Sequence, residues 1–365
     1  MHNSKSNMLC NDTVHTFPHG VFFCPHETKG DACMEMSVRD YKRAIADGKI
    51  DNWSPKDIEQ WLHSDVGGIV GQDAACRAAA MIVYNHFERR PSVSLFAGPT
   101  GCGKTEIWRA LRREYSAGNV HIIDASTLTA EGWRGSNKIS SIFRSIRPDR
   151  RGRCILVLDE FDKVLEPQYG AQGTNYSDLI QNQLLRLCDH DTLFFGAGDD
   201  SNSALSVDCA GVSVVMLGAF SRLRERKAIG QKHIGFGTVT APAGDIQTEE
   251  ITVDDLIKYG MRAELAGRIN RIVCMDSLTI RDLVRIGKDE ADRLSLLLDR
   301  PVDIAPDALI MLARIALHKG LGARWMKSKI GTMIEDMIYD DPDAPRYVFE
   351  YEPPDADKRR QEEFR

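Results

Sequence analysis

The sequence predicts an α/β fold: a larger domain built on a parallel sheet, followed by a smaller, mainly helical domain. Three observations predict it. An apolar run (Val93, Leu95, Phe96, Ala97) enters a loop of Gly98, Pro99, Thr100, Gly101, Cys102, Gly103, Lys104, Thr105 and Glu106 before a helical pattern begins, which is the phosphate loop G-x-x-x-x-G-K-T. A second apolar run, Cys154 to Leu158, ends directly in Asp159 and Glu160. That describes a buried parallel strand with acids at its C-terminal end, where open α/β sheets bind ligands. From Asp276 onward Leu, Ile and Met recur at three- and four-residue spacing, the period of packed helices.

At 365 residues the chain has room for a large domain and a smaller one. A hydrophobic content of 42% and a charged content of 27% are those of a soluble globular protein. No apolar run approaches the ~20 residues that cross a bilayer. The N-terminus, MHNSKSNMLCNDTVHTF, holds no apolar core of the signal-peptide kind, so the expected location is the cytoplasm and no membrane partner is expected. Nine cysteines are scattered without a framework, as free thiols are in a reducing compartment. A net charge of −6 argues against general nucleic-acid affinity.

Residues 1–50 lack sustained periodicity and are expected to form a weakly ordered arm. Cys10, His15, His19, Cys24, His26 and Cys33 are zinc-ligand types, but no C-x-x-C pair occurs among them. The large domain is expected over 51–275. It opens with Ser54 capping a helix that has Pro55 at its first position and runs to His63. After Gly67 and Gly68 come Ile69, Val70, Gly71 and Gln72, then an alanine-rich helix from Asp73 to Arg89.

In the phosphate loop, glycines let several backbone N–H groups converge, the following helix adds the positive end of its dipole, and Lys104 adds a full charge. Such a nest suits the β- and γ-phosphates of ATP. Thr105 is then expected to ligate Mg²⁺ through its hydroxyl, and Asp159 to hold the same ion through water. Glu160 is expected to polarise the attacking water as general base. Between these two motifs, Val120 to Ile123 reads as a strand, and Glu131-Gly132-Trp133-Arg134-Gly135 as an exposed loop tip, since glycines and charges build no socket for the indole. The arginines at 144, 147, 150, 151 and 153 read as a solvated turn, without the interleaved aromatics that stack bases.

Beyond Glu160, residues 166–177 form a polar, glycine-containing loop that leads into a helix ending at Cys188, and 192–207 reads as a hairpin. Val212 to Leu217 is a further apolar run, entering Gly218-Ala219-Phe220. In the basic, glycine-rich stretch that follows, Ile234-Gly235-Phe236 places two large apolar side chains where no period would bury them. The helical domain is expected over 276–351, with helices Ser277 to Leu297, Pro306 to His318 and Gly322 to Ile338 and a closing strand from Arg346 to Tyr351. Residues 352–365 read as a charged tail.

Taken with IVGQDAACRAAAMIVYNHFERR, LDEFDKV, GAF, IGF, DDLIKYGMRAELAGR and GLGAR, this pattern resembles the ClpX-like AAA+ ATPases of the Clp/HslU branch, from about Ser54 to Tyr351. The resemblance implies a homo-hexameric ring that uses ATP and Mg²⁺ to unfold protein substrates and thread them through a pore. It implies that Ile69 and Val70 flank adenine, that Trp133 and Arg134 belong to the pore loop, and that Ile234, Gly235 and Phe236 dock on a ClpP-type peptidase. Arg268 takes the place of the arginine finger that reaches a neighbour's γ-phosphate, and Arg324 that of the sensor-2 arginine over the bound phosphates. Met216 and Leu217 fall where a polar sensor-1 residue would be sought. The cysteine-paired zinc module of typical relatives is missing. An HslU-like subunit, a nucleotide-gated remodelling scaffold and a nucleic-acid motor are the alternatives; the first lacks its intermediate-domain insertion between Asp162 and Asp178.

Overall fold

The structure is a computed structural model that describes residues 13–17, 20–24, 34–36, 53–114, 119–130, 137–148, 151–169, 173, 175–196, 204–223 and 250–350. The chain divides into two units, Met1–Trp53 and Ser54–Arg365. The first holds three short antiparallel strands: β1 (Thr13–Phe17), β2 (Gly20–Cys24) and β3 (Met34–Met36). The sequence reading of this stretch as a weakly ordered arm named no strand in runs as short as TVHTF and GVFFC. Their β-branched and aromatic residues favour strands without sustaining a longer period.

The second unit begins with α1 (Pro55–His63), whose N-terminus is fixed by a capping box: Ser54 Oγ accepts from the Asp57 amide and Asp57 accepts from the Ser54 amide at 2.8 Å. It continues through α2 (Asp73–Phe87), β4 (Val93–Ala97), α3 (Lys104–Glu114), β5 (Val120–Asp124), α4 (Ile139–Ser145), β6 (Ile155–Asp159), α5 (Phe161–Val164) and α6 (Tyr176–Cys188). A hairpin of β7 (Thr192–Phe195) and β8 (Leu205–Asp208) precedes β9 (Ser213–Gly218), α7 (Val253–Tyr259), α8 (Ala263–Ala266) and β10 (Arg271–Cys274).

Five strands pair in the order β10-β4-β9-β6-β5, all parallel. Strands β4 and β9 are buried along their whole length, which is why they read as unbroken apolar runs. Helix α3 packs its buried face, with Trp108 edge-on to Phe96 at 5.7 Å, beneath the loop that β4 enters. The parallel order brings the C-terminal ends of β4, β6 and β9 side by side. Sequence reading missed β10: its four residues add an outer strand beside β4, too short to show a period.

The last part is helical, as expected. Helices α9 (Ile280–Leu298), α10 (Pro306–His318) and α11 (Gly322–Asp340) enclose a core that includes Leu309, Leu312, Met326 and Ile330. Two short strands, β11 (Val302–Ile304) and β12 (Tyr347–Phe349), pair in parallel at its edge; the second is the expected closing strand and the first was not anticipated. Among the described residues, no helix is long and apolar enough to cross a membrane.

Candidate active site

Among the described residues, a cleft of about 520 Å³ opens at the C-terminal ends of β4, β6 and β9, a volume within the usual range for a small-molecule site. Thr100, Gly101, Gly103, Lys104, Thr105 and Glu106 line one wall, Asp159 and Glu160 a second, and Ala323, Arg324 and Lys327 of α11 a third. Residues more than two hundred positions apart are thus gathered at one place, at the carboxyl ends of the parallel strands where α/β folds bind ligands.

The phosphate loop is held by its own lysine. Lys104 Nζ donates to the Gly98 carbonyl at 2.7 Å and to the Pro99 carbonyl at 2.9 Å, which bends the loop over the start of α3. Cys102 is buried beneath the loop, and Glu106 faces Arg109 at 3.7 Å and Arg113 at 3.1 Å. A side chain built at Gly103, where φ is +104°, would meet nothing within 4 Å, so the concave face of the loop is open. An open nest with a lysine at its rim and a helix N-terminus beneath fits a polyphosphate. Thr105 Oγ1 donates to Asp159 Oδ2 at 2.9 Å, which joins the two motifs through oxygen atoms alone. Paired oxygen ligands beside a phosphate site are the donor set that Mg²⁺ takes.

Glu160 follows immediately in the left-handed region, with φ +55°, and its amide donates to Asp159 Oδ1 at 3.0 Å. That turn lets both carboxyls, adjacent in sequence, line the same cleft. Asp162, one residue into α5, went unremarked in the sequence as a site residue. It is buried, lines the cleft, and accepts the amide of Phe220 at 3.3 Å. Phe220 has φ +50° and is fully buried, with its ring edge-on to Tyr259 at 5.2 Å. Asp162 therefore holds the turn after β9, which delivers Ser221 and Arg222 to the cleft. The second aspartate of LDEFDKV was a visible signal for it, without which nothing local marks the contact. Met216 and Leu217 are buried strand residues, so no polar side chain stands at the position sought for sensor 1.

Arg324 reaches the cleft because the phosphate loop and the start of α11 touch through their backbones. The Ala323 amide donates to the Gly101 carbonyl at 3.2 Å. Gly101 and Gly322 both have positive φ, +76° and +62°, and a side chain on Gly322 would come within 2.7 Å of the Gly101 oxygen. Only paired glycines allow so close an approach.

Ile69, Val70 and Arg268, expected at the nucleotide, do not line the cleft of this chain. Ile69 and Val70 are buried and do not line the cleft; Val70 packs with Leu278, Leu283 and Ile286, which ties the first domain to α9. Arg268 lies outside the cleft of its own chain and forms an ion pair with Asp189. Trp133 and Arg134, like Ile234, Gly235 and Phe236, lie outside the described residues, as do the side chains of the N-terminal cysteines and histidines.

Residues 94–218 match the family described as "ATPase family associated with various cellular activities (AAA)". The chain is 26% identical over 369 residues to the ATP-dependent Clp protease ATP-binding subunit ClpX of Treponema denticola, covering 89% of this chain and 86% of that one. It is 25% identical over 332 residues to the subunit of the same name from Borrelia duttonii, covering 80% of this chain and 75% of that one. The matched family spans β4 to β9, the strands that carry the phosphate loop and the paired acids.

Proposed function

Taking as premise that this chain is a ClpX-like AAA+ ATPase, we propose that it forms a homo-hexameric cytoplasmic ring that unfolds protein substrates and threads them through a central pore, with a ClpP-type peptidase as partner. One arrangement carries the reading. Lys104, Thr105, Asp159, Glu160 and Arg324 share a cleft that Arg268 of the same chain does not line, so an Arg268 that assists hydrolysis does so in the cleft of a neighbour.

ATP supplies the phosphoryl group when bound, and Mg²⁺ offsets the charge on its phosphates. Lys104 and the amides of the phosphate loop bind and orient that charge, while Thr105 and Asp159 hold the metal. Glu160 takes a proton from water at its carboxylate. Arg324 stands on the helical domain, and the backbone contact between Gly101 and Ala323 couples that domain to the loop under the phosphates. A change at the phosphates thereby alters the angle between domains, and six such changes around a ring move the pore loops. Trp133, between glycines, supplies a broad aromatic contact that grips side chains of any type. Ile234, Gly235 and Phe236 form the apolar anchor for the peptidase.

The test is ATP-dependent unfolding of a tagged fluorescent reporter by the purified chain, with and without a ClpP-type peptidase. Loss of reporter fluorescence that requires ATP and Trp133 supports the reading, and degradation only when the peptidase is added supports the partnership. ATP turnover with the reporter left folded contradicts it.

A further inference from the structure

Arg268 follows α8 on a short turn, with its side chain half exposed, and its Nε donates to a carboxylate oxygen of Asp189, the residue that ends α6. Among the described residues its terminal nitrogens make no other hydrogen bond. A guanidinium is a planar fork of five donors, so a carboxylate at Nε leaves donors for a second oxyanion. Stability does not account for Asp189. An exposed pair contributes at most about 1 kcal/mol, and an acid at a helix C-terminus faces the negative end of the dipole.

The two supports of this pair are locked to each other. Gln181, fully buried on α6, donates from Nε2 to the Gly260 carbonyl at 3.1 Å and accepts the Arg262 amide at 2.8 Å. A buried amide satisfied from both sides holds α6 against the segment that leads to Arg268 and fixes the distance across which Asp189 reaches it.

The geometry points to Asp189 as a positioning residue: it grips Arg268 at Nε and sets the terminal nitrogens for the phosphate held by a neighbouring protomer. This rests on the cross-subunit reading of Arg268 and deepens it. An arginine on a surface turn samples many rotamers, and holding it in one shortens the search when the neighbour's cleft closes.

The experiment compares full-length Asp189→Asn, Asp189→Glu, Arg268→Ala and the double variant Asp189→Asn/Arg268→Ala, measuring steady-state ATP turnover and the affinity of a fluorescent ATP analogue. Arg268→Ala is expected to lose turnover by on the order of a thousandfold. Asp189→Asn should lose about tenfold or more in kcat with analogue affinity unchanged, and Asp189→Glu, which keeps the charge, should regain rate. The double variant should match Arg268→Ala, because Asp189 acts only through that arginine. Wild-type turnover in Asp189→Asn while Arg268→Ala is inactive would overturn the assignment, as would a double variant slower than Arg268→Ala by the full factor of Asp189→Asn. Normal turnover in Arg268→Ala would overturn the cross-subunit reading itself, and this assignment with it.

Discussion

The Gly101 carbonyl accepts the amide of Ala323 at 3.2 Å, so the loop shaped for phosphates and the helix that carries Arg324 meet without an intervening side chain. Gly322→Ala places a methyl group within 2.7 Å of that carbonyl, at a residue with φ +62°. The variant should lose about 1 kcal/mol or more of stability, seen as a lower denaturant midpoint. It should also bind nucleotide more weakly, measured by titration calorimetry, because the methyl group pushes the start of α11, and Arg324 with it, away from the phosphate loop.

Glu160 and Thr105 line the same cleft but serve different steps. Glu160→Gln should keep ATP affinity and lose turnover by on the order of a hundredfold or more. Thr105→Ala removes the hydroxyl that meets Asp159 at 2.9 Å. In this variant the Mg²⁺ concentration needed for half-maximal turnover should rise, and a titration of Mg²⁺ at fixed ATP reads it directly.

Asp162 is buried and takes the amide of Phe220. Asp162→Ala leaves that amide without a partner inside the protein, at a cost of about 1–3 kcal/mol, read by urea denaturation. Asp162→Asn keeps an acceptor oxygen and should lose less. An alanine variant as stable as the parent would mean that the turn after β9 is held by its apolar packing alone.

His86 gives the fold a pH dependence. Burial, with a smaller contribution from the Arg153 charge, lowers its pKa from 6.5 to about 4, and its Nδ1 lies 3.0 Å from Ser213 Oγ. In the unfolded chain the ring takes a proton near 6.5, whereas the folded protein resists it until about 4. The stabilising contribution is therefore whole above pH 6.5 and is lost as pH falls toward 4, by roughly 3 kcal/mol. Denaturation midpoints across that window should decline in the parent and flatten in His86→Gln.

The phosphate loop and the paired acids Asp159 and Glu160 were legible in the sequence because each is a contiguous string whose chemistry lies in its own residues. The helices of the second domain were legible for a related reason, since their apolar spacing runs over many turns. What stayed hidden depends on contacts between distant segments. The Gly101–Gly322 approach joins residues 221 positions apart, and neither glycine alone announces a partner. Gln181 reads as an ordinary polar helix residue, yet it is fully buried and bridges α6 to the turn before α8. Strand β10 is four residues long and exists because β4 offers it an edge. Asp189, at a helix end unfavourable to an acid, makes sense only once Arg268 is seen beside it.

The account turns on a hydrolytic cleft completed by a second copy of the chain, and mixing two inactive variants tests that most directly. Glu160→Gln keeps Arg268 but spoils its own cleft, while Arg268→Ala keeps a sound cleft but offers its neighbour no arginine. The account predicts that each alone is nearly silent and that the mixture regains ATP turnover, as sound clefts come to face intact arginines. A mixture as silent as its components, or an Arg268→Ala protein that hydrolyses ATP unaided, would contradict it.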